Sequence, residues 1–134
     1  MIKWFSFLAQ DAAKDYELKL RQIYPGTSLP RIDLLLLGAG PDGHTCSLFP
    51  GHPLLNEKEK WVAPIDDSPK PPPSRVTLTY PIINNAACSI FAMAGAKKAE
   101  IVKILLKDRQ DLPAGKVKSE EVLWIIDKGA ASML

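Results

Sequence analysis

Apolar residues fall into two kinds of run, which alternate along the chain. In residues 11–24, Ala12, Tyr16, Leu20 and Ile23 recur at helical spacing with charges between them, which predicts an amphipathic helix. Pro25-Gly26 stops it. Residues 32–37 (IDLLLL) form a continuous apolar run ending in glycine, the pattern of a strand buried on both faces of a parallel sheet. Further apolar runs at 61–65, 75–80, 89–94 and 122–126 predict four more strands. Residues 44–49 predict a short helix ended by Pro50-Gly51, and residues 97–109 a longer one burying Val102, Leu105 and Leu106. Pro81 is placed to open a short helix and Asp127 to cap a closing one. Residues 66–73 (DDSPKPPP) predict an extended, proline-rich loop. Strands alternating with helices predict an α/β fold, with a mainly parallel sheet and flanking helices, Rossmann-like, in a single domain over residues 1–134. Ligands of such sheets bind beyond the C-terminal strand ends, here residues 38–44 and 95–98.

Composition narrows the function classes. The 134 residues are 46% hydrophobic and 24% charged with a formal net charge of +2, so nothing calls for nucleic acid or an anionic membrane. No apolar run approaches the ~20 residues that span a bilayer. Residues 1–10 hold an aromatic-rich run broken by Ser6, too short for a signal peptide. Cys46 and Cys88 lack metal-ligand spacing, and a reducing, cytoplasmic compartment is the expectation.

Residues 38–43 (GAGPDG) match the form GxGxxG after a strand, which raises dinucleotide binding. Three features oppose it. Pro41 removes an N–H that a pyrophosphate would need. Pro50 ends the following helix early. The acid expected ~20 residues on would fall in the charged connector at 56–60. The alternative centres on Asp42-Gly43-His44. Glycines let a backbone turn sharply, and a histidine at the mouth of a helix is placed to act as a general base near neutral pH. A histidine that merely caps its own helix competes with that reading. His44 and Cys46 are too close in sequence to pair easily. Ser47 has no identifiable base, and His44 with His52 does not make a metal site. Trp4, Trp61 and Trp124 are read as packing residues.

Residues 32–50, IDLLLLGAGPDGHTCSLFP, and 64–79, PIDDSPKPPPSRVTLT, resemble the signature segments of the 6-phosphogluconolactonases. The similarity runs over residues 11–134. It implies hydrolysis of the lactone of 6-phosphogluconate in the oxidative pentose phosphate pathway, with neither metal nor organic cofactor, a sugar-phosphate lactone being the small-molecule partner. On matched positions, His44 would be the base that takes a proton from water, and Asp42 would orient it or fix its loop. Backbone amides near Gly40 and Gly43 would stabilise the oxyanion, Arg75 would contact the substrate, and Lys98 would reach its phosphate. Lys97 stands where the family has a small residue and is not assigned. The related amino-sugar phosphate isomerase-deaminases carry a glutamate five residues after the histidine. Phe49 stands there, which favours lactone hydrolysis.

The resemblance also implies segments that do not occur, a Gly-Gly-Ser phosphate loop and an Asp-Glu-Arg signature. The chain is therefore expected to be an N-terminally truncated or alternatively started form. Its apolar sheet would be left under-covered and prone to self-association. A catalytically silent fragment that at most binds a partner is the second expectation.

Overall fold

A computed structural model describes residues 8–134. Trp4, and the part of the aromatic-rich start that bears on a signal peptide, lie outside the described residues. Five strands form among those described: β1 (Leu34–Leu37), β2 (Val62–Ile65), β3 (Arg75–Leu78), β4 (Cys88–Met93) and β5 (Glu121–Ile126). β1, β4 and β5 make a parallel sheet in the order β1-β4-β5, with Leu36 beside Ile90 and Ile90 beside Leu123. β2 and β3 pair antiparallel instead, in a separate two-stranded sheet. The predicted parallel α/β character holds, with two of the predicted strands set apart as a hairpin.

Helix α1 (Ala9–Ile23) packs against that hairpin. Its Glu17 carboxylate accepts the N–H groups of Trp61 and Val62, both at 3.1 Å, and so caps the strand entry. Trp61 is fully buried, donates its indole N–H to Ser28 O at 3.2 Å and lies under the Arg21 guanidinium. Burying a side chain of this size dominates local stability. A five-residue helix, α2 (Tyr80–Asn84), opens beside Pro81 as predicted.

The predicted helix at 97–109 changes pitch along its length. A 3-10 turn (Ala96–Lys98) leads into helix α3 (Ala99–Val102), followed by a π-helical turn (Lys103–Lys107). Val102 and Leu105 are buried in the core with Ile101, Leu35, Phe91 and Met93, while Leu106 is half-buried. Each fully buried side chain of this kind stabilises the fold by roughly 1.5–3 kcal/mol.

Three expectations need correction. Residues 32–37 are buried on one face only: Leu35 points into the core, whereas Leu36 is 74% exposed. Alternation along a strand sends neighbours to opposite faces, and no described helix covers Leu36. Residues 44–49 are a turn and not a helix. Leu48 N–H donates to Thr45 O at 2.9 Å, and Cys46 takes a left-handed φ of 52°, which a right-handed helix cannot include. The segment after Asp127 is a run of turns; Asp127 still caps it, accepting the Ala130 N–H at 2.7 Å, and also accepts the Gly95 N–H at 3.0 Å.

Candidate active site

Two loops meet at the C-terminal ends of β1 and β4. The strand-to-loop junction after β1 delivers Gly38 to His44, and the one after β4 delivers Lys98. Lys98 Nζ donates to Ala39 O at 2.7 Å and ties the two together. An open cleft of about 500 Å³ lies there, lined by Ala39, Gly40, His44, Cys46, Lys70 and Lys98 among others.

His44 is held on two sides. Its Nδ1 lies 2.6 Å from Asp42 Oδ1. Phe49, itself buried, packs against the imidazole with ring centroids 4.6 Å apart. With Nδ1–H donated to the carboxylate, the ring lone pair is on Nε2, the nitrogen left for a reacting proton. Burial works against ionisation of Asp42. Hydrogen bonds from His44 and Lys70 outweigh it, and the carboxyl is lowered to about 2. A depressed carboxyl contributes stability above its ordinary titration range and loses it as pH falls toward 2. Asp42 is therefore ionised across the neutral range.

The glycines shape the loop and are not its anion donors. Gly40 N–H donates to His44 O and Gly43 N–H to Gly40 O, both at 2.9 Å, so neither amide is left for an oxyanion. A Cβ on Gly40 would fall 2.1 Å from the His44 ring, so glycine here makes room for the imidazole. Gly43 has φ 79°, and a Cβ there would fall 2.6 Å from Leu112. Gly40 lines the cleft; Gly43 is buried against Leu112.

Arg75 turns back onto the proline-rich loop. Its guanidinium donates to the carbonyls of Lys70, Pro71 and Pro72 at 2.8, 2.9 and 2.9 Å, and stands 5.4 Å over the Phe49 ring. The loop is thus curled around Arg75 and not extended. Lys70, at its tip, reaches Asp42 Oδ1 at 3.1 Å. No sequence signal marks Lys70, since a lysine among prolines reads as solvated.

The remaining candidates are structural. Cys46 lines the cleft, but burial pushes its thiol up to about 11. Ser47 is buried, its N–H donated to Thr77 Oγ1 at 3.0 Å. His52 accepts the Leu54 N–H through Nδ1 and meets Asp67 through Nε2. Trp61 and Trp124 pack, the latter stacked on Phe91 at 4.1 Å.

Residues 5–124 match the family model described as Glucosamine-6-phosphate isomerases/6-phosphogluconolactonase. The chain belongs to this family. It is 56% identical over 128 residues to the 6-phosphogluconolactonase of Rattus norvegicus, and 54% identical over 129 residues to that of Homo sapiens. Each match covers 93% of this chain and 50% of the relative. A solved 6-phosphogluconolactonase from Trypanosoma cruzi superposes with a TM-score of 0.74 at 30% identity, covering 94% of this chain and 52% of that one. The chain spans about half the length of the curated relatives it matches. At position 49 an apolar ring, and no carboxylate, lies against His44.

Proposed function

We propose that this chain hydrolyses 6-phosphogluconolactone to 6-phosphogluconate, with His44 as general base, a step of the oxidative pentose phosphate pathway. The Asp42–His44 pair at 2.6 Å, on the loop after β1, is the observation that carries the reading. The likeness to 6-phosphogluconolactonases at 54–56% identity supports it. Water bonds to the lactone carbonyl carbon while its proton passes to His44 Nε2. Collapse of the tetrahedral intermediate breaks the bond to the ring oxygen, which takes that proton from the imidazolium. Asp42 keeps the ring in its productive tautomer and faces the charge as it forms. The purified chain, given freshly made lactone, should exceed the spontaneous rate; a rate equal to it overturns the proposal. A rate below that of the longer relatives is expected, because a chain half their length offers less positioning of the substrate.

Lys98 is assigned to the sugar phosphate. It closes the 3-10 turn that follows Gly95, just ahead of α3, and lines the cleft together with Lys70, where an ammonium favours a phosphate. Lys98→Ala should raise KM for the phosphorylated lactone and leave hydrolysis of unphosphorylated gluconolactone unchanged. Equal loss on both substrates would refute the assignment.

The same reading takes residues 1–134 as one partial domain of the family, acting in the cytoplasm with its cysteines as free thiols. It also includes self-association through the open sheet face, where Leu34, Leu36, Leu123 and Ile125 are exposed. Sedimentation at tens of micromolar should give a mass above 14.7 kDa, and Leu36→Lys with Ile125→Lys should return it to the monomer. A monomeric parent would remove this part of the proposal.

A further inference from the structure

An oxyanion forming beside His44 needs a donor, and the two glycine amides expected to supply it are engaged elsewhere. The amides of Gly40 and Gly43 are spent inside the loop, and residues 44–49 form a turn without a helix N-terminus. Two ammonium groups line the cleft. Lys98 is anchored on Ala39 O. Lys70 meets Asp42 Oδ1 at 3.1 Å, the same oxygen that His44 Nδ1 meets at 2.6 Å. Arg75 holds the backbone carbonyls at 70, 71 and 72, which fixes the loop's backbone and leaves the Lys70 side chain, beyond its pairing with Asp42, as the part that can turn. An ammonium has three donors on a flexible stem, and can leave one anion for another a few ångströms away.

The geometry points to Lys70 as the oxyanion-stabilising catalytic residue, resting on Asp42 in the free cleft and passing to the lactone carbonyl oxygen as water adds. This deepens the lactonase reading and rests on it. The water oxygen bonds to the carbonyl carbon, the carbonyl π pair moves to its oxygen, and the water proton goes to His44 Nε2. Lys70 stays protonated throughout and hydrogen-bonds the new oxyanion. When the intermediate collapses, the electron pair returns, the bond to the ring oxygen breaks, and His44 gives up its proton to that oxygen. The transfer also leaves Asp42 to His44 alone while the imidazole is positive, so one movement serves both charges.

Two measurements on the whole chain test this. The first is steady-state hydrolysis by the parent, Lys70→Met and Lys70→Arg. The second is NMR of chains whose lysines carry 13C-dimethyl groups, which keep the charge. The probes are 6-phosphogluconate, whose carboxylate takes the oxyanion's place, and inorganic phosphate. Lys70→Met should lower kcat on the order of 10²-fold with KM within about threefold, and Lys70→Arg should recover part of the loss. The Lys70 signal should move with 6-phosphogluconate and stay still with phosphate. A raised KM at full kcat, or a Lys70 signal that follows phosphate, makes Lys70 a phosphate contact and overturns the proposal. Unchanged kinetics with an unmoved signal reduces it to a loop ion pair. If 6-phosphogluconate moves His44 resonances but not Lys70, the lactonase reading stands and the Lys70 assignment falls. If it moves neither and the parent does not exceed the spontaneous rate, both fall.

Discussion

His44→Ala should lower lactone hydrolysis by the chain on the order of 10²-fold or more, the usual worth of a positioned general base. The expectation rests on one nitrogen. Nδ1 is committed to Asp42 and one face of the ring is covered by Phe49, so Nε2 is the atom that can take the proton from water. Asp42→Asn should also be severe, because an amide can present a donor to Nδ1 and turn the lone pair away from the cleft. A pH profile separates this from titration of the carboxyl. Asp42, lowered to about 2, stays ionised above its ordinary range near 3.9. A fall in rate between pH 7 and pH 5 therefore belongs to a different group. Activity of His44→Ala within twofold of the parent would leave His44 with a structural role.

Gly43→Ala should cost the fold about 2–5 kcal/mol, from left-handed strain and overpacking acting together. Gly43 sits at φ 79°, and an added methyl would lie 2.6 Å from the Leu112 side chain. The same glycine's carbonyl accepts the Ala114 N–H at 2.8 Å, so the residue cannot move away without breaking that bond. Denaturant unfolding in two backgrounds divides the cost. Against Leu112→Gly, which removes the Cβ that would lie 2.7 Å away as well as the rest of the side chain, the added methyl at 43 should cost only the strain, about 1–2 kcal/mol. An equal cost in both backgrounds would mean that the contact with Leu112 carries none of it.

Local patterns carried most of the element order. Ala12, Tyr16 and Leu20 at helical spacing signal helix α1, although the residues it buries are Ala9 and Ala13 and Tyr16 is exposed; β1, β4 and β5 follow from short apolar runs closed by glycine or charge. Both signals are held within a few residues. The hairpin was less legible: pairing Ala63 with Thr77 joins positions separated by the whole proline-rich loop, and alternation in 75–80 does not say which partner a strand takes. The turn at 44–49 was hidden because its apolar residues, Leu48 and Phe49, fit a helical face as well as a buried turn. Of the site, the loop and its Asp42–His44 pair were legible from glycine chemistry and the family resemblance. Arg75 was legible as a candidate but not its turn onto the proline-rich loop, and Lys70 was not legible, because their directions depend on how Pro71 and Pro72 curl the loop, and side-chain reach leaves no mark in sequence. Leu36 shows the same limit: an apolar run records what a strand could bury, not what lies over it.

The tight fit of Gly40 against the His44 ring has a consequence for how this loop can change over generations. A side chain at position 40 and an imidazole at position 44 exclude one another. A lineage that first loses His44 is free to accept alanine or serine at 40 at little cost. Once it has done so, restoring the histidine alone restores nothing, since the ring no longer has a place to sit. Both substitutions must then be reversed before the histidine returns to its place beside Asp42. The loop thus works as a ratchet, and descendants that pass through it keep the fold while the route back to the histidine site closes behind them.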